Sequence, residues 1–246
     1  NNLKETLQMI NKSKNWNYNV AWLDTSANIN FLGRSVLFRG NHEKSGQKIL
    51  NIDFLNKKKP KISFEFPSWF INRFSIKCLN EIYFYFKKNK KEALDIDNFF
   101  FQLDKLHSWN LLYGKEGFVS YQCSFTKKDS YKAIKKILLK LREKKVYSFV
   151  SVIKSLGENS KYLSFGKKGF TIVFDFPIYK NLYKTLLDLD KIVSENYGDI
   201  YLTKDSRVSK QIFKRVGKKF YKNPFKKLRK KFGNNFNSIQ SLKLGI

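Results

Sequence analysis

Hydrophobic and polar positions alternate through residues 118–125, which puts Val119, Tyr121, Cys123 and Phe125 on one face of a strand and Ser120 and Gln122 on the other. The period then changes. Tyr131, Ile134, Leu138 and Leu141 recur at helical spacing with lysines between them, predicting a helix capped at Asp129 or Ser130 and running to about residue 144. Residues 147–154 return to a strand pattern, as do residues 170–176, which Pro177 ends; Gly157 and Gly166 mark the polar loop between them. Leu182, Leu186, Leu189 and Val193 stripe a second helix over 181–196, and 199–202 reads as a short fourth strand. The order β-α-β-β-α-β predicts an α+β fold. It is an antiparallel sheet with two helices on one face, a ferredoxin-like unit in residues 118–202.

Upstream the pattern is more broken. Leu3, Leu7 and Ile10 predict a helix over 3–11, and 17–24 and 35–39 read as strands separated by a polar loop ending at Gly33. Residues 67–77 and 79–88 are aromatic-rich and helical in pattern, with basic breaks at 56–61 and 87–91. Downstream, residues 204–231 hold 13 Lys or Arg against a single Asp, with Phe213, Val216, Phe220, Phe225, Leu228 and Phe232 interleaved as an amphipathic tail.

Strand parity has a consequence for function. In 147–154 one set of side chains is Tyr147, Phe149, Ser151 and Ile153, the other Ser148, Val150, Val152 and Lys154. In 170–176, Phe170, Ile172, Phe174 and Phe176 face the helices, which leaves Thr171, Val173 and Asp175 on the side of Gln122. Gln122, Lys154, Thr171 and Val173 therefore line one surface that the helices leave open, and something else must cover it.

Composition narrows the chemistry. The 246 residues are long enough to bury a sizeable core, and aromatics at 17% argue against disorder for most of the chain. The two cysteines, Cys78 and Cys123, build neither a disulfide framework nor a zinc site, so a reducing, cytoplasmic compartment is the expectation. His42 and His107 have no partner at ligand spacing, no metal is expected, and neither a P-loop nor a dinucleotide fingerprint is present. No apolar run spans a membrane, and the first ten residues do not form a signal peptide. The chain does not begin with Met, which suggests a fragment or a missing upstream part. The net charge of +29 is in part compositional drift in a Lys-, Asn-, Ile- and Phe-rich chain; the remainder attracts anions such as nucleic acid, anionic lipid or phosphorylated substrates. The basic tail can stack on single-stranded nucleic acid, pack its aromatics inward, or approach anionic lipid. The regular aromatic spacing favours inward packing.

Several motifs then fall in register. They are Asn19-Val-Ala-Trp22-Leu-Asp24, Gly33-Arg34, Leu103-Asp104, Trp109-Asn110 with Tyr113-Gly114, Gly117-Phe118 and Tyr121-Gln122, then Lys154 with Gly157, Gly169-Phe170 with Asp175-Phe176-Pro177, and Tyr201 with Lys204-Asp205 and Arg207. In that order they closely resemble the C-terminal portion of the decaprenylphosphoryl-β-D-ribose 2-oxidase family, flavoproteins of the vanillyl-alcohol-oxidase superfamily. The resemblance runs from about Asn17 to the final Leu244-Gly-Ile246.

The resemblance implies FAD as cofactor, with most of it held by an N-terminal FAD-binding domain absent from this chain. It implies a substrate-binding domain in residues 1–198, whose sheet lies over the flavin, and a segment 199–246 that returns to the FAD-binding domain. Tyr201 would contact FAD. Lys204 would sit at flavin and substrate as the catalytic group, and Gln122 and Lys154 would point into the substrate pocket. Trp22 would be a pocket aromatic. Ser120 stands where the family often has Gln, Thr171 and Val173 where relatives carry Asn and Cys, and Gly233-Asn234 where many have Asp-Pro. A covalent inhibitor relying on that cysteine would have no target. The implied reaction oxidises a secondary hydroxyl of a polyprenyl-phosphate-linked pentose, with peripheral association at an anionic inner membrane and no specific nucleic-acid partner. The alternatives are a sugar-lactone or alditol oxidase of the same superfamily, or a non-enzymatic basic module binding nucleic acid or anionic membrane.

Overall fold

The apolar stripes meet on one side of a single sheet. A computed structural model describes residues 2–43, 59–87, 91–158, 165–205, 207–216, 224–232 and 235–246. In chain order the elements are α1 (Leu3–Lys12), β1 (Tyr18–Leu23), β2 (Ser35–Gly40), α2 (Arg73–Phe86), α3 (Ile96–Phe100), β3 (Phe118–Thr126), α4 (Lys127–Glu143), β4 (Val150–Leu156), β5 (Gly169–Pro177), α5 (Leu182–Glu195), β6 (Asp199–Ile200), α6 (Lys210–Val216), α7 (Pro224–Lys231) and α8 (Ile239–Leu244). The described strands lie in the order β2-β1-β4-β5-β3-β6, and every pair is antiparallel. The fold is α+β with an open antiparallel sheet, as expected: β4-β5-β3-β6 with α4 and α5 forms the ferredoxin-like unit. Beyond the expectation, β1 and β2 extend the same sheet past β4.

The parity reading holds in the register. Tyr121 lies opposite Phe174, Cys123 opposite Ile172, and Ile153 opposite Ile172 on its other side. These side chains are buried with Ala133, Ile134, Ile137, Leu138 and Leu141 of α4, with Leu182, Leu186, Leu189 and Val193 of α5, and with Leu3, Leu7 and Ile10 of α1. Phe213 and Val216 of the basic tail join this core, so that part of the tail packs inward; Phe232 stays exposed, and Phe220 lies outside the described residues. A second, smaller cluster (Ile71, Ile76 and Tyr113, flanked by Trp109, Phe118 and Phe149) covers one end of the opposite face.

Local chemistry moves several boundaries. The aromatic stretch is one helix, not two, because the Asn72 side chain accepts from the Phe74 and Ser75 amides and forms a capping box with Ser75. Strand β4 begins at Val150 rather than 147, because the Ser148 hydroxyl takes the place of ladder bonds there: it donates to Val150 O (2.6 Å) and Asp175 O (2.9 Å) and accepts from the Asp175 amide (3.0 Å). Helix α4 is capped by Thr126 rather than by Asp129 or Ser130, and Asp129 accepts from the Thr126 hydroxyl at 2.6 Å. Thr126→Ala is expected to lower stability by about 1 kcal/mol, read by urea denaturation. The basic breaks are described only at 59–61, 87 and 91, and Gly233-Asn234 lies outside the described residues.

Candidate functional site

The face turned away from α4 and α5 gathers the predicted residues. Gln122 lies opposite Val173, Lys154 opposite Thr171, and Ser120 opposite Asp175, so side chains from β3, β4 and β5 share one surface. Gln122 Nε2 donates to Thr171 Oγ1 at 3.1 Å, and that hydroxyl donates to Cys123 O at 3.0 Å. Thr171 and Val173 are buried and wall the surface, whereas Lys154 is exposed and free to reach outward. Trp22 shares the face opposite Val152, but its ring lies under Tyr83 of α2, with centroids 4.6 Å apart, and is 8% exposed. It is a packed wall rather than an open stacking platform.

Tyr201 and Lys204 enter from the end of β6. The Tyr201 amide donates to Gln122 O at 2.9 Å, which continues the strand pairing, and its ring packs 4.6 Å from Phe165. A turn follows, with the Lys204 amide donating to Tyr201 O and the Asp205 amide to Leu202 O. Gln240 of α8 clamps this turn by donating to Leu202 O (2.8 Å) and Asp205 O (2.6 Å). Behind it, Arg207 forms a two-point ion pair with Asp190 (2.5 and 2.9 Å), and the Tyr121 hydroxyl donates to the same carboxylate at 3.1 Å. Arg207 and Asp205 thus anchor the turn, and Lys204 is presented exposed at its tip.

Two groups on this face were not nominated from the sequence. Asp175 is buried, and its Oδ1 accepts from Ser120 Oγ at 2.5 Å. Burial pushes its carboxyl above the ordinary range, while the Ser120 hydrogen bond and the charge of Lys204 pull it partly back. Tyr113 is buried beside Phe118, with centroids 4.7 Å apart, and its hydroxyl has no partner among the described residues. Burial, and secondarily Asp175, pushes that hydroxyl well above the usual tyrosine value. The available signal for Asp175 was an acid within a nine-residue strand that is otherwise free of charge. Tyr113 is held by the adjacent turn, where Gly114 takes φ of 67° and a Cβ would fall 2.6 Å from Phe66 O. Burial and the nearby charges of Asp190 and Asp199 push the Cys123 thiol well up, which leaves it an inert core residue rather than a nucleophile.

The sheet face thus carries an amide, two hydroxyls, two lysines and a buried carboxylate. No protein-family model matches the chain. The decaprenylphosphoryl-β-D-ribose oxidase of Mycolicibacterium smegmatis is 30% identical over 81% of this chain. This chain is a relative of that oxidase. It spans about half (45%) of that relative's length. The motif residues singled out in the sequence divide into two kinds in the fold. Asp24, Arg34, Asp205 and Arg207 are buried or partly buried anchors, whereas Gln122, Lys154, Asp175, Tyr201 and Lys204 cluster at the sheet face and its edge.

Proposed function

We propose that this chain is the substrate-side portion of an FAD-dependent oxidoreductase that oxidises a secondary hydroxyl of a sugar carried on a polyprenyl phosphate. The observation that carries the reading is the donor-rich sheet face with Lys204 at its edge. The buried hydroxyls of Tyr113 and Ser124, which have no partner among the described residues, belong to the same side of the sheet. A carbonyl-bearing flavin ring suits such donors, and Tyr201 and Lys204 are the residues that would hold it. FAD, when bound, supplies the hydride acceptor. Lys204 orients the reacting oxygen and stabilises negative charge developing on it, and Lys154 and Gln122 hold the sugar or its phosphate. Val173 makes this part of the pocket apolar, and Thr171 spends its hydroxyl on Gln122 and Cys123. Sugar specificity therefore differs from that of relatives with Asn and Cys at these positions.

Residues 199–246 return to an FAD-binding domain supplied by the rest of the protein. The exposed Phe232, Phe236, Ile239 and Leu242 support this, since such side chains are suited to burial against a neighbour. The net charge of +29 suits a phosphate-bearing substrate at an anionic membrane surface, and no described helix is long and apolar enough to cross one.

The test uses the full-length protein loaded with FAD. Lys204→Ala is expected to slow anaerobic flavin reduction by a short-chain prenylphosphoryl-β-D-ribose by about 100-fold or more. It should also perturb the flavin spectrum. A spectrum and rate unchanged in both Lys204→Ala and Tyr201→Phe would overturn the assignment of these residues.

A further inference from the structure

We propose that Asp175 is the proton acceptor of this site, taking the hydroxyl proton of the sugar carbinol while Ser120 holds its carboxylate and Lys204 orients the alcohol oxygen. The inference rests on the oxidoreductase reading above and adds to it the identity of the base.

Asp175 differs from the other acids near this face. Asp24, at the end of β1, is ion-paired to Arg34, and Asp199 lies 3.2 Å from Lys167. Among the described residues no cation lies within ion-pairing distance of Asp175, and no hydrogen-bond donor reaches its Oδ2. It is nonetheless buried, opposite Ser120 and Val150 and two residues along β5 from Val173. A lone carboxylate in such a place is costly to ionise unless a substrate or its own proton completes it. The ionisable groups that act on it are few. Its neighbours on β3 and β4 are uncharged, the 3-10 turn Trp109–Tyr113 contributes the Tyr113 hydroxyl, and the turn after β6 contributes Lys204, with Lys154 farther along the face. Burial raises the carboxyl, which makes the carboxylate a better base than a solvated one.

The step balances without further reactants. The carbinol O–H breaks and its proton moves to a carboxylate oxygen of Asp175. The C–H bond breaks with its electron pair, which leaves as hydride for the flavin ring. A ketone forms as the flavin is reduced.

The experiment again uses the FAD-loaded full-length protein and a short-chain prenylphosphoryl-β-D-ribose. Asp175→Asn keeps an acceptor for Ser120. It is expected to slow limiting flavin reduction by about 100- to 10,000-fold while probe affinity, read from flavin absorbance, changes by less than about threefold. The wild-type rate should fall on the acid side as Asp175 takes up its proton, and this limb should vanish in Asp175→Asn. Ser120→Ala removes a bond that favours the ionised form, so it should move the limb to higher pH; this variant keeps the test open should Asp175→Asn fail to fold. A readout independent of turnover is the melting temperature of flavin-free protein. Ionising a carboxyl whose folded value is raised lowers stability as pH climbs from the ordinary carboxylate range through the raised value. Asp175→Asn should therefore melt higher than wild type at neutral pH and lose that advantage in acid. Asp175→Asn reducing its flavin within threefold of wild type, or an acid limb unmoved in both variants, would overturn the proposal. Wild-type protein that binds no FAD, or whose flavin the probe does not reduce, would instead sink the broader reading and this proposal with it.

Discussion

Arg207→Ala is expected to destabilise the protein by about 3–5 kcal/mol, a large share of the roughly 5–15 kcal/mol that holds a typical domain together. The reason lies in Asp190, whose side chain is wholly buried on α5 beneath the sheet. Two guanidinium nitrogens and the Tyr121 hydroxyl satisfy its oxygens. Without Arg207 the carboxylate keeps one neutral donor and no opposing charge, so the fold must either strand it or protonate it. Replacing both partners together, as in Arg207→Met with Asp190→Leu, should recover most of the loss, because burying an ion pair is itself costly. Urea denaturation of the single and double variants measures this directly. A single variant within about 0.5 kcal/mol of wild type would show that water replaces the guanidinium. The lesion also has a functional side, since Arg207 and Asp205 brace the turn that presents Lys204.

Asp24→Ala is the second change with a large expected cost, also about 3–5 kcal/mol. The Asp24 carboxylate accepts from Ser26 N (2.8 Å), Ser26 Oγ (2.7 Å), Asn80 Nδ2 (3.0 Å) and Arg34 Nε (2.9 Å). Arg34 also reaches Glu81 at 2.7 Å and lies over the Phe84 ring at 4.4 Å. Glu81, Asn80 and Phe84 all belong to α2, so this one carboxylate ties the helix to the ends of β1 and β2. Its removal leaves the buried guanidinium with Glu81 as its one remaining ion pair and the buried Asn80 amide with only the longer bonds to Ser26 Oγ (3.2 Å) and Ser148 O (3.4 Å). Beyond lost stability, α2 should come away from Trp22, and limited chymotrypsin digestion should cut within residues 64–86 sooner than in wild type. Unchanged protection of that region would show that α2 is held by its apolar contacts alone.

The sequence made the helix-facing half of the sheet readable because period-2 and period-3.6 patterns are local, and the common face of Tyr121, Cys123, Ile172 and Phe174 follows from them. What stayed hidden depends on contacts distant in sequence. The pairing of β1 with β4 joins Trp22 to Val152, and nothing in either segment announces the other. The start of β4 was misplaced because Ser148 bonds across to Asp175, and the α4 cap because Thr126 outcompetes the acids that follow it. The open face was visible by parity, and Gln122, Lys154, Thr171 and Val173 do share it. Asp175 was on that list of neighbours without being singled out, since its character comes from Ser120, Lys204 and the depth of burial. Motif spacing does not separate anchors from site residues either: Arg207 and Lys204 stand in the same short stretch, yet one is locked to Asp190 and the other is exposed.

Gln240 illustrates how far the site's rigidity is borrowed. Its amide is stapled to two carbonyls of the turn carrying Lys204, while Leu244 of the same short helix is buried in the main core. The lysine is therefore aimed by a segment far along the chain that contributes no side chain to the sheet face itself. Damage at that remote segment, by trimming or by a poorly placed fusion, would unclamp the turn that presents the lysine and open the core where Leu244 sits, although the sheet face lies elsewhere.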